Sequence, residues 1–161
     1  MTESPDTNVT RTIAKLPLAA AIVAVGGIFD AIYLTIHHYN AEPVPCGGPF
    51  DCEMVLSSPY ATLSGFVGNV PVIGDAPLSI LGAAAYFIAF CFAILAAFGD
   101  RRTWPLFGIQ ATLMAVFACY LFYLQSMVIH AYCQYCLISA SISITLFIIY
   151  LISVFVRKRT V

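Results

Sequence analysis

Charge is what this chain has least of. Only 9% of its 161 residues are Asp, Glu, Lys or Arg, against 61% hydrophobic, and the mean hydropathy is +0.91. A soluble domain is about 25% charged and about 45–50% apolar, so this composition cannot make a water-facing shell. Seven Lys and Arg against eight Asp and Glu leave a net charge of −1, which is no footprint for nucleic acid. A disordered chain and a secreted disulfide scaffold are excluded on the same grounds. The length allows one domain, and the apolar content makes that domain a bundle of membrane helices. Six cysteines are the second unusual number.

About 20 apolar residues are needed to cross a hydrocarbon core of roughly 30 Å. Four segments qualify, at about 16–39, 77–98, 104–129 and 133–156. Gly99-Asp100-Arg101-Arg102 separates the second from the third, and a short turn near His130 separates the third from the fourth. The first span is too long for a cleaved signal peptide. An apolar run from Met54 to Ile73 lies in the loop 40–76, but Ser57, Ser58, Pro59, Gly65, Gly68 and Pro71 interrupt it. Backbone that irregular cannot face lipid with its N–H and C=O groups unpaired. The expected architecture is therefore an all-α, four-span bundle capped on its outer side by a surface half-helix. It has a tail at 1–15, a membrane domain at 16–156 and a basic tail at 157–161.

The few charges set the orientation. With four spans, Arg11, Lys15, Arg101, Arg102, Arg157, Lys158 and Arg159 all fall on one face. By the positive-inside rule that face and both termini are cytoplasmic. A fifth span would split these residues between the two sides.

Cys46 and Cys52 in the loop, and Cys133 and Cys136 opening the last span, then lie on the outer face, where disulfides persist. Cys133-Gln134-Tyr135-Cys136 is a C-x-x-C at a helix N-terminus, where unpaired N–H groups and the macrodipole lower a thiol pKa and favour redox activity. Two stapling disulfides would also explain the placement. So would a soft-metal site of four thiols near His130, in a structural or metal-transporting membrane protein. No His follows Cys136, which disfavours c-type haem. Cys91 and Cys119 fall mid-span and are expected to pack as small hydrophobes.

Several other residues stand out. Asp30, two to three turns below the outer boundary of the first span, is an intramembrane carboxylate and a candidate proton relay, or a partner for Gln110. His130, close in sequence to Cys133, is a second relay candidate. His37 and His38 close the first span at the interface. Phe29, Tyr33, Phe87 and Phe122 are expected to pack, and Gly26, Gly27 and Gly82 to let helices approach closely.

Taken in order, Cys46-x5-Cys52, Val55-Leu56-Ser57-Ser58-Pro59-Tyr60-Ala61, a glycine-containing second span and Cys133-x2-Cys136 resemble the vitamin K epoxide reductase family in its bacterial or archaeal form. The similarity runs over roughly residues 20–155. DsbB-type quinone reductases share the chemistry but place their pairs in the opposite order.

The resemblance implies a bundle around a quinone, ubiquinone or menaquinone, with no metal. It implies Cys46 and Cys52 as a shuttle pair and Cys133 and Cys136 as the active-site pair, with Cys136 deeper and beside the quinone. It places Ser58, Leu56, Leu78 and Ala140 around the ring. Animal members carry Asn and Tyr where Leu78 and Ala140 stand, which favours quinone reduction over epoxide reduction here. The activity implied is a thiol:quinone oxidoreductase of the inner membrane, its active site facing outward. Many bacterial members carry a fused thioredoxin-like domain. With the chain stopping at Val161, the expected partner is a separate extracytoplasmic thioredoxin-fold (DsbA-like) protein.

Overall fold

The computed structural model describes residues 5–40, 43–64, 76–100 and 102–159. Five α-helices are present among them: α1 (Pro5–Asn40), α2 (Cys52–Leu56), α3 (Leu78–Ala97), α4 (Thr103–Tyr123) and α5 (Gln134–Arg159). The described residues contain no strand, only an isolated bridge between Thr62 and Pro77.

Among the described residues, four segments are long and apolar enough to span a bilayer: Lys15–Asn40, Leu78–Ala97, Thr103–Ile129 and Gln134–Lys158. At 1.5 Å per residue each reaches across about 30 Å. The first helix begins at Pro5, ahead of its apolar stretch, because hydropathy marks where lipid begins rather than where a helix does. The four spans form a closed ring in which α1 packs on α3 and α5, and α4 on the same two.

The interior is made of small side chains. Ala20, Ala24, Ala89, Ala93 and Ala111 are fully buried, while Phe29, Ile22, Phe98 and Phe155 point outward. Lipid tails are as apolar as leucine, so spans associate through close backbone approach rather than through expulsion of large side chains from water. Gly27 is where this matters most: a Cβ there would stand 2.5 Å from Cδ1 and Cε1 of Tyr86. Gly108 meets Tyr150 in the same way. Gly26 and Gly82 have no neighbour closer than 3.9 Å, so the expected tight approach is made at Gly27 alone of those three.

Several polar groups in the bundle are bonded between helices. The Tyr86 hydroxyl donates to the Ser139 carbonyl at 2.7 Å and lies 2.9 and 2.8 Å from Oγ of Ser139 and Ser143. Trp104 stacks on Phe107 and donates from Nε1 to Ser153 Oγ at 2.8 Å. Gln110 donates to the Ala85 carbonyl at 3.3 Å rather than meeting Asp30.

Two expectations about packing need correction. Cys119 is exposed on the bundle's outer surface, and only Cys91 is half-buried. Phe29 and Phe87 are largely exposed and so face the lipid instead of filling the core.

Candidate functional site

The site lies at the end of the bundle where α1 finishes and α5 starts. Asp51 caps α2, its Oδ1 accepting from the Met54 N–H at 3.0 Å. A turn of 3-10 helix, Pro59–Ala61, follows. Together these short elements form the expected cap. Its continuation at 65–75 lies outside the described residues. Among the described residues flanking it, Leu63 N–H donates to the Ala76 carbonyl at 3.0 Å.

The Cys46–Cys52 pair is a disulfide with Cα atoms 6.0 Å apart, and Cys133 and Cys136 are free thiols. Cys52 and Cys133 are both fully buried in one apolar cluster with Leu34, Val44, Val55 and Ala131, and Cys46 and Cys136 pack against it. Backbone bonding sets this register. Asp51 N–H donates to the Tyr132 carbonyl at 3.0 Å, which brings the residue before Cys52 against the residue before Cys133. The Tyr135 hydroxyl donates to the Pro45 carbonyl, and its ring lies 5.0 Å from that of Tyr33.

Cys133 is the residue from which α5 starts. Its carbonyl accepts the first helical bond, from Leu137 N–H at 3.0 Å, and its sulfur accepts from the Cys136 N–H at 3.3 Å. The sulfur thus does the work of an N-cap oxygen, at the positive end of the helix dipole. The Cys133 thiol is held below the ordinary thiol range, first by its hydrogen bond with the Cys136 thiol and further by the backbone N–H groups of Cys136 and Tyr135, against the opposing effect of burial. Its own N–H donates to Gln125 Oε1 at 3.0 Å.

Gln125 is buried, on a π-helical turn, Leu124–Ile129, that extends α4. Such turns re-aim side chains inside otherwise regular helices. The turn ends at His130, in the left-handed region at φ 55° and exposed. Gln125, rather than His130, is therefore the polar side chain bonded to the C-x-x-C.

Beneath the cap is a cavity of about 490 Å³, walled by all four long helices. That volume is ordinary for a site taking a small organic ligand. Cys136 borders it, as do Leu56 and Ser58 from the cap, Leu78 from α3 and Ala140 from α5. The Ser58 hydroxyl donates to the Val55 carbonyl at 2.7 Å, so it holds the turn while its lone pairs remain to accept. Leu81, Leu113 and Phe117 also line the cavity and are partly exposed on the outside. The chamber is therefore open sideways between α3 and α4, towards lipid. Cys133 and Asp30 do not border it. Among the described residues, no three His, Cys, Asp or Glu side chains cluster closely enough to hold a metal ion.

The sequence model of the vitamin K epoxide reductase family matches residues 18–151. The chain belongs to this family. The match takes in most of the bundle and all four cysteines of the site, and identifies a multi-pass membrane thiol oxidoreductase. The family as a whole acts on quinone-type substrates. Gln125, Tyr86, Ser139 and Ser143 are site residues that spacing alone does not pick out. The signal present in the sequence was the Ser139-x3-Ser143 repeat on one helical face, opposite a lone Tyr in an apolar span.

Proposed function

We propose that this vitamin K epoxide reductase family member is a thiol:quinone oxidoreductase. It takes electrons from a separate, extracytoplasmic thioredoxin-fold (DsbA-like) protein and delivers them to ubiquinone or menaquinone, sustaining disulfide formation outside the cytoplasm. One observation carries the reading: both cysteine pairs share a single buried cluster, and one sulfur of that cluster, Cys136, borders a ligand-sized cavity open to lipid. The described basic residues Lys15, Arg102, Arg157 and Lys158 sit at the opposite end of the spans, which supports an outward-facing cysteine site by the positive-inside rule. The tails at 1–15 and 157–161 are then cytoplasmic.

The steps follow from access. Cys46 is half-buried and Cys52 fully buried, so a partner thiolate attacks Cys46 and breaks the Cys46–Cys52 bond, and the partner's second thiol completes its own disulfide. Cys52, set beside Cys133, attacks the Cys133–Cys136 disulfide and releases Cys136. Cys46 then attacks Cys52, restoring the loop disulfide and leaving Cys133 and Cys136 as a dithiol. This loop-oxidised, C-x-x-C-reduced arrangement is the one described above. Re-forming the Cys133–Cys136 bond passes two electrons and two protons to the quinone, which supplies the redox chemistry when bound.

Leu56, Leu78 and Ala140 give the ring an apolar, water-poor seat. With Leu78 and Ala140 apolar, nothing from those positions reaches an epoxide oxygen, which favours the plain quinone. A DsbA-like couple near −120 mV needs a strongly oxidising acceptor, and a respiratory quinone pool is one. The test is to mix purified protein, a reduced thioredoxin-fold donor and a quinone. The quinone absorption band should fall with turnover, whereas a metal transporter or a stapled scaffold would leave it unchanged.

A further inference from the structure

Asp30 is a carboxylic acid inside the first membrane span, and its Oδ2 is buried with no hydrogen-bond partner among the described residues. An unsatisfied carboxylate at that depth is costly, and a purely structural one would have both oxygens bonded. Ser139 on α5 is the neighbouring side chain within reach of its carboxyl. From Ser139 Oγ it is 2.9 Å to the Tyr86 hydroxyl, and from there 2.8 Å to Ser143 Oγ. Those three hydroxyls border the cavity, although Asp30 does not. The titratable groups that feel the charge of Asp30 are Tyr86 on α3 and Cys133, Tyr135 and Cys136 at the start of α5. A line of hydroxyls thus runs from the cavity wall to a carboxyl that also acts on both thiols.

We propose that Asp30 carries a proton from the C-x-x-C thiols to the quinone through Ser139 and Tyr86. This deepens the quinone-reducing reading and rests on it. As the Cys133–Cys136 bond forms, two electrons pass to the quinone and two thiol protons are released. One reaches the Asp30 carboxylate and moves on through the Ser139 and Tyr86 hydroxyls, each accepting one proton and donating another, to a quinone oxygen. The other passes from Cys136, at the cavity wall, to the second oxygen. Asp30 returns to carboxylate, so the balance closes without a further reactant. Asp30 acts through its neighbours and is a positioning and relay residue, while Tyr86 is the group at the cavity surface.

The test compares wild type with Asp30→Asn and Tyr86→Phe. Asp30→Asn should slow quinone reduction by about 10²-fold, the scale of a lost proton-transfer group. Exchange between Cys52 and Cys133, followed without quinone, should stay within about two-fold of wild type, and added azide or formate should restore part of the lost rate. Tyr86→Phe, which removes a single hydroxyl, should slow the same step without that rescue. Independently of turnover, the negative charge of Asp30 raises the Cys133 pKa, so Asp30→Asn should lower the pH midpoint of Cys133 ionisation. Full quinone reduction by Asp30→Asn or Tyr86→Phe, or an unmoved Cys133 midpoint, would overturn the relay while leaving the quinone reading intact. Wild type that exchanges disulfides but never reduces quinone would overturn that reading itself, and the relay with it.

Discussion

Gly27→Ala is the sharpest probe of how the bundle is built. The added methyl would sit 2.5 Å from Cδ1 and Cε1 of Tyr86 and 2.7 Å from its Cγ, whereas carbon atoms rest at about 3.5–4.0 Å. A separation of about 1 Å must therefore open between α1 and α3. The ring cannot easily yield, because its hydroxyl is held by the Ser139 carbonyl and the two serine Oγ atoms. Overpacking of this kind costs about 1–3 kcal/mol. At about 2–4 °C per kcal/mol for a chain of this size, the melting temperature in detergent should drop by about 2–12 °C. Gly26→Ala is the internal control, since its nearest neighbour is 3.9 Å away, and it should shift the midpoint by less than about 2 °C. Thermal unfolding followed with a thiol-reactive fluorophore reads both. If the two variants melt together, the close α1–α3 contact is refuted.

Gln125→Ala should destabilise by about 1–3 kcal/mol, because it leaves the buried Cys133 N–H without its acceptor. Gln125→Glu, which keeps an acceptor oxygen, should recover part of the loss, and equal melting of wild type and the Ala variant would contradict this. The depressed Cys133 pKa means its thiolate persists to lower pH than an ordinary thiol, and Cys136→Ala should move the ionisation midpoint up towards about 8.5. Thiolate ultraviolet absorbance against pH reads this, and a midpoint unchanged by Cys136→Ala would count against the hydrogen bond as the main cause. In Cys46→Ala/Cys136→Ala, Cys52 and Cys133 should form a mixed disulfide detectable by non-reducing peptide mass spectrometry. In Cys52→Ala/Cys136→Ala the corresponding Cys46–Cys133 bond should be scarce, and the reverse pattern would exchange the roles of the two loop cysteines.

The spans were legible in the sequence because lipid imposes a length and a polarity that few other environments do. The apolar stretches fall within a few residues of the expected limits, although the first helix itself begins well ahead of its stretch, at Pro5. The π turn and His130 lie where the last break was expected. The cavity walls contributed by Leu56, Ser58, Leu78 and Ala140 were reached through family resemblance, not through their own chemistry, since apolar residues look alike in any span. Gln125 was not legible as a partner of Cys133. Its role depends on a π turn that rotates it inward, and hydrophobic periodicity carries no trace of such a turn. Asp30 stood out by charge alone, yet its partner Ser139 is more than a hundred positions away. Cys119 was misplaced for a related reason: within a membrane, buried and lipid-facing positions have the same composition, so a cysteine's side of the helix cannot be read from its neighbours.

In the proposed reaction Cys136 is the sulfur that hands electrons to the quinone. The most direct measurement follows the quinone absorption band in purified protein supplied with a reduced dithiol donor, comparing wild type, Cys136→Ser and Cys119→Ser. Wild type and Cys119→Ser should bleach the band at the same rate, while Cys136→Ser should leave it standing even though its loop disulfide is still reduced by the donor. Full quinone reduction by Cys136→Ser would contradict the account.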